Sequence, residues 1–119
     1  MEKKKEAIKN SETRVVKCVF PNTTNHYDTL FGGRALQWMD EVPFITASRF
    51  SRQKMVPVSS DKVDFKKPIP SGMFAELIGK VSMLGSSSLK INVEIFIEQM
   101  YSDHRELACK RIYNGCYNR

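Results

Sequence analysis

Gly32 to about Phe50 carries the pattern that most restricts this chain. Read as a helix, its apolar residues Ala35, Leu36, Trp38, Met39, Val42, Phe44, Ile45 and Ala47 cover most of the circumference. A helix apolar nearly all round has to be enclosed rather than laid on a surface. At 119 residues there is chain for one core only, so the enclosing layer must come from the same single domain, 1–119. Residues 1–11 are charged and weakly periodic and read as a flexible arm outside it.

Everything else reads as strand. Thr13 to Phe20 is β-branched and apolar and stops at Pro21-Asn22. After the helix come Val56 to Lys67, Phe74 to Leu84, a run from Leu89 to Glu98, and Arg105 to about Tyr117. Turn-forming stretches separate them: Pro68-Ile69-Pro70-Ser71-Gly72, Gly85-Ser86-Ser87-Ser88 and Tyr101-Ser102-Asp103-His104. Alternation is cleanest in the third, with Leu89, Ile91, Val93, Ile95 and Ile97 on one face and Lys90, Asn92, Glu94 and Glu98 on the other. Phe96 interrupts the polar side, where another subunit could meet it. Short connections make neighbouring strands antiparallel. The expected fold is α+β, a long central helix wrapped by a curved antiparallel sheet of about five strands. Such a sheet leaves edges and a second face, which favours self-association.

Composition removes several function classes. No apolar run approaches the roughly 20 residues that span a bilayer, and Met1-Glu2-Lys3-Lys4-Lys5-Glu6 leads into no apolar segment of the kind a signal peptide needs. Neither a membrane nor secretion is expected, and the expected location is the cytoplasm. Cys18, Cys109 and Cys116 are odd in number and form no C-x-x-C pair, as suits free thiols in a reducing compartment. The net charge of +6 asks for anions. Its basic residues are scattered without an aromatic-basic recognition motif, so no nucleic acid is expected; the phosphates of a small ligand need only two or three of them.

The chemistry concentrates at Asn25-His26-Tyr27-Asp28-Thr29-Leu30-Phe31-Gly32-Gly33 and the Trp38-Met39-Asp40-Glu41 that follows. Glycines at a helix start leave N–H groups open to an incoming oxygen, and the helix dipole favours negative charge there. Asp40, with an ordinary pKa of about 3.9, is an anion at neutral pH unless burial intervenes. It could activate water as a general base or attack a carbonyl carbon itself, or simply pair with a buried cation. Glu41, roughly 100° round the helix, is the competing acid. Asn25 can donate and accept in the loop. His26 has no second ligating residue at useful spacing, so no metal is expected.

These residues resemble the hotdog-fold acyl-CoA thioesterases, specifically the broad-range acyl-CoA hydrolase group. The likeness rests on Asn25, Thr29-Leu30-Phe31-Gly32-Gly33 and Trp38-Met39-Asp40-Glu41, on Ser59-Ser60-Asp61-Lys62-Val63-Asp64-Phe65-Lys66-Lys67-Pro68, and on the turn Gly85-Ser86-Ser87-Ser88-Leu89. It extends from about residue 15 to 113. It implies hydrolysis of acyl-CoA to a free acid and coenzyme A, with coenzyme A entering as part of the substrate and no separate cofactor. By this resemblance, the amides at Gly32 and Gly33 bind the thioester oxygen, Asn25 orients the carbonyl or the water, and Asp40 supplies the acid. Lys66, Lys67 and Arg52, with Arg49 and Lys54, become candidate phosphate partners, and Ser86, Ser87 and Ser88 candidate partners of the pantetheine amides. The family also implies dimers, with hexamers as trimers of dimers the larger form.

Spacing adds a constraint. Gly32 and Asp40 are eight residues apart, roughly 12 Å along a helix, too far for one thioester carbon to touch both. The resemblance resolves this by taking the helix start from one subunit and the acid from its partner. Three features depart from the family pattern: Asp28 where relatives usually have glycine, Pro43 inside the helix, where it is expected to bend the axis beside Asp40, and a last strand more polar than usual at Tyr113-Asn114-Gly115-Cys116-Tyr117, expected to be shortened or altered. Other readings are a hotdog protein that binds acyl-CoA without turnover and, further off, a dehydratase, which would need a histidine and acid at the helix mouth. Met39 and Phe44 are expected at the floor of the acyl pocket.

Overall fold

The computed structural model describes residues 11–20 and 32–117. In chain order they form β1 (Thr13–Cys18), α1 (Gly32–Ser51), β2 (Met55–Ser60), β3 (Asp64–Phe65), β4 (Met73–Leu84), β5 (Ser88–Gln99) and β6 (Arg105–Tyr117). One antiparallel sheet runs in the order β1-β4-β5-β6-β2, with β3 also paired to β6. The sheet does not close on itself, and α1 lies across one face of it, chiefly over β4 and β5.

Register decides which side chains meet the helix. Leu89, Ile91, Val93, Ile95 and Ile97 of β5 are all buried, as their alternation requires. Pairing carries that face to Ala75, Leu77, Gly79 and Val81 on β4 and to Cys109, Arg111, Tyr113 and Gly115 on β6. Against it α1 buries Ala35, Trp38, Met39, Val42 and Ala47. Thr46, also fully buried, satisfies its hydroxyl by donating to the Val42 carbonyl at 2.8 Å. A bulge at Ala108 shifts the β5–β6 register, which is why the consecutive Ala108 and Cys109 are both buried.

Three expectations change. The helix is not enclosed all round: Gln37, Asp40 and Glu41 are exposed, Leu36 and Ile45 are half-buried, and Phe44 is 68% exposed. An open sheet can cover only one side of a cylinder. The expected strand from Val56 to Lys67 is two strands, making six rather than about five. Between Pro57 and Ser59, and again between Ser60 and Asp64, this segment carries one residue more than β6 opposite, so pairing breaks and resumes. The polar last strand is not short; β6 has 13 residues. Pro43 lies inside α1, which runs from Gly32 to Ser51. Phe96 is half-buried, with the Arg105 guanidinium over its ring, 4.1 Å from the centroid. Among the described residues no helix is long and apolar enough to cross a membrane.

Candidate active site

Arg111 and Tyr113 occupy alternate positions of β6, so both point to the helix side of the sheet. Because α1 packs over β4 and β5, the inner face of β6 is left partly uncovered beside it. The result is a groove of about 520 Å3. Pro43, Phe44 and Ala47 of α1 form one wall, Met55, Val58, Ser59 and Ser60 of β2 the other, and Leu89, Ile91, Arg111, Tyr113, Asn114 and Gly115 the floor. Asp40 stands at its rim. A second, shallower hollow of about 700 Å3 runs along the open side of α1, bounded by Leu36, Gln37, Asp40, Glu41, Phe44 and Ile45. Asp40 and Phe44 border both; Glu41 borders only the outer one. Geometry therefore favours Asp40 over Glu41 as the acid facing the groove.

The Asp40 side chain keeps 61% of its surface exposed. Tyr113 donates its hydroxyl to Asp40 Oδ1 at 2.7 Å, and Arg111 Nη1 lies 3.8 Å from the same oxygen. Arg111 also donates from Nε to the Asp61 carbonyl at 2.9 Å and from Nη2 to Ser60 Oγ at 2.7 Å. Its guanidinium lies over the Tyr113 ring, 5.2 Å from the centroid. One arginine thus ties the break in the edge strand to the acid on the helix. Burial pushes the Tyr113 phenol well above its ordinary range; its bond to Asp40 and that carboxylate's charge add to the effect, and Arg111 opposes it. Asn114 Nδ2 donates to Ser59 Oγ at 3.2 Å along the same wall.

The other expected site residues are dispersed. Gly32 and Gly33 open α1, roughly 12 Å from Asp40 at helical rise. Asn25, His26 and Asp28 lie outside the described residues. Met39 is not on a pocket floor; it is fully buried under the sheet, its sulfur 3.8 Å from Cys109 Sγ. Lys66 and Lys67 both donate their amides to the Ala108 carbonyl, while Ser88 pairs with Cys116. Along β6 that separation is roughly 26 Å, so one chain does not gather these lysines with Ser86, Ser87 and Ser88. Arg52, in a left-handed conformation (φ 55) that ends α1, is exposed and lies at the serine end, since Met55 pairs with Tyr117. Lys66 pairs with Asp64 at 3.0 Å and Lys67 with Glu106 at 2.8 Å. Lys67, with His104 at 3.2 Å, holds the Glu106 carboxyl below its usual range. Among the described residues, no group of three or more His, Cys, Asp or Glu side chains could hold a metal.

Sequence reasoning missed Arg111 and Tyr113. Their signal was present: Cys109, Arg111 and Tyr113 alternate along a strand predicted beside β5, so an arginine and a phenol fall on an otherwise apolar row.

Residues 27–102 match the family model of the thioesterase superfamily. The chain belongs to the thioesterase superfamily. Within that superfamily it is 39% identical over 99 residues to the uncharacterized acyl-CoA thioester hydrolase YkhA of Bacillus subtilis, covering 82% of this chain and 58% of that one. It thus spans just over half the length of curated relatives it matches. Among solved thioesterases it is similar to the acyl-CoA hydrolase of Staphylococcus aureus in complex with butyryl coenzyme A, coenzyme A and coenzyme A disulfide: TM-score 0.87, 32% identity, 94% of this chain and 68% of that one. Alanine mutants of that hydrolase at an aspartate, an asparagine and a threonine have also been solved. A hexameric acyl-CoA thioesterase superimposes with TM-score 0.88 at 29% identity over 94% of this chain and 72% of that one. The hotdog arrangement is shared with all of them.

Proposed function

We propose that this thioesterase-superfamily chain hydrolyses acyl-CoA to a free acid and coenzyme A, with Asp40 as the acid at the reacting centre. The observation that carries this is Asp40 at the mouth of a largely apolar groove, its carboxylate bound by Tyr113 and still accessible. An apolar groove accepts an acyl chain, and a carboxylate at its rim reaches the thioester end. In the Staphylococcus aureus hydrolase the mutated asparagine precedes the mutated aspartate by fifteen positions, the separation of Asn25 from Asp40 here. That agreement supports the assignment of both residues. Counting from the aspartate to the mutated threonine reaches Pro57 in this chain, so no side-chain hydroxyl stands at that offset.

The site is composite in this reading. Roughly 12 Å separates Asp40 from Gly32 and Gly33, and the open side of α1 with its exposed Phe44 offers a surface for a second copy. The helix start of one subunit, with Asn25, then meets Asp40 of the other, in a dimer that can assemble further into a trimer of dimers. Coenzyme A arrives as part of the substrate, with no resident cofactor. Its phosphates take Lys66, Lys67 and Arg52 and its pantetheine arm Ser86, Ser87 and Ser88, the two ends of the sheet serving one ligand only across subunits. Three unpaired cysteines suit a reducing compartment, and we place the protein in the cytoplasm.

Release of free thiol from acetyl-, medium- and long-chain acyl-CoA tests the reaction. Wild type should turn over at least one of them and Asp40→Asn should lose nearly all of that rate. Tight acyl-CoA binding without thiol release would instead make this a binding protein. Mixing Asp40→Ala and Asn25→Ala chains should restore part of the activity, and no recovery would overturn the composite site.

A further inference from the structure

We infer that Tyr113 is a positioning residue for Asp40, holding the carboxylate by one oxygen so that the other is presented to the substrate. This rests on the hydrolase reading above and adds to it a residue from β6, on the helix side of the sheet. Three observations support it.

First, the hydroxyl-to-Oδ1 distance of 2.7 Å is that of a well-formed hydrogen bond to a carboxylate. Second, both polar contacts on Asp40, from Tyr113 and from Arg111, fall on Oδ1; among the described residues none falls on Oδ2. An Asp with 61% of its side chain exposed would otherwise sample several rotamers, and a fixed Oδ1 leaves one direction for Oδ2. Third, Tyr113 is itself held. Its ring is half-buried on the groove floor opposite Ile91 and beneath the Arg111 guanidinium, which is anchored on Ser60 and Asp61. The phenol is therefore a rigid donor, supported by a chain of contacts that ends in the edge strand.

Tyr113→Phe removes the hydroxyl and keeps the ring. With the acyl-CoA that wild type hydrolyses best, kcat should fall about tenfold, the usual worth of one hydrogen bond to a charged group, with KM within about twofold of wild type on that scale. A groove-wall role would do the reverse, raising KM and sparing kcat. A kcat within about twofold of wild type, judged against that same hydrogen-bond energy, or a loss confined to KM, would overturn the inference and leave the hydrolase reading intact. No thiol release by wild type on any substrate would overturn the hydrolase reading, and this inference with it.

Discussion

Gly79 and Val42 set how closely the helix can lie on the sheet: a Cβ at Gly79 would stand 2.5 Å from Val42 Cγ1, and 2.6 Å from the Thr46 hydroxyl. Neither neighbour can move freely, because Val42 and Thr46 are both buried and the Thr46 hydroxyl is committed to the Val42 carbonyl. Gly79→Ala should therefore destabilise the fold by about 2 kcal/mol, the range for overpacked cores. Denaturant melts of the single mutant and of Gly79→Ala with Val42→Ala check this. The second change makes room and should recover part of the loss; equal stability of Gly79→Ala and wild type would contradict it.

Arg111 holds the broken edge strand from below through Ser60 and Asp61. Arg111→Met keeps the aliphatic stem and removes both bonds. We expect a global cost of about 1 kcal/mol for bonds with partly exposed partners. Hydrogen exchange should speed up at the Asp61 amide, bonded to the Ile112 carbonyl, while the β4–β5 ladder keeps its protection. Uniform acceleration across the sheet would count against a local latch.

Burial pushes the Cys109 thiol up from 9.0 to about 12. Folding thus favours the protonated thiol. Stability from this group is fully present below the pKa of the unfolded thiol and is lost as pH rises from about 9 towards about 12. Melting temperature should drop on that interval in wild type and drop less in Cys109→Ala. Thiol counting offers a second check: exposed Cys18 should react in the native protein and Cys109 only on unfolding.

Phe44 is 68% exposed, so Phe44→Asp should change the stability of an isolated chain by less than about 0.5 kcal/mol. If the open side of α1 is covered by a second copy, the same change should shift sedimentation towards monomer and lower thiol release together. Unchanged association would place the self-contact elsewhere.

Lys67 spends its charge on Glu106 at the surface, a pair worth less than about 1 kcal/mol to folding. Lys67→Ala should leave melting nearly unchanged and, if Lys67 meets a coenzyme A phosphate as proposed, raise KM for acyl-CoA several-fold. A normal KM would remove Lys67 from the coenzyme A site.

Much of the fold was legible in the sequence because it depends on local periodicity. Alternation in Leu89 to Ile97 named the buried face of β5 without error, and Ala35, Trp38, Met39, Val42 and Ala47 were found as core. Phe44 was not, since a helical wheel counts apolar residues but cannot tell which side a sheet will cover. The break between β2 and β3 was hidden for a related reason: a bulge is a mismatch against a partner strand, and its sequence looks like unbroken strand. Asp40 stood out from its place among apolar residues, but its partners did not.

The chain by itself determined most of the elements and the buried rows, and narrowed the acid to Asp40 or Glu41, because hydrophobic spacing and turn chemistry act within a few residues. Tertiary structure decided which acid faces the groove, that Tyr113 and Arg111 meet it across more than seventy residues of chain, and that Lys66 and Lys67 sit far from Ser86, Ser87 and Ser88 in one subunit. Those outcomes follow from strand order and register, which are set by how the sheet and helix pack together rather than by any segment alone.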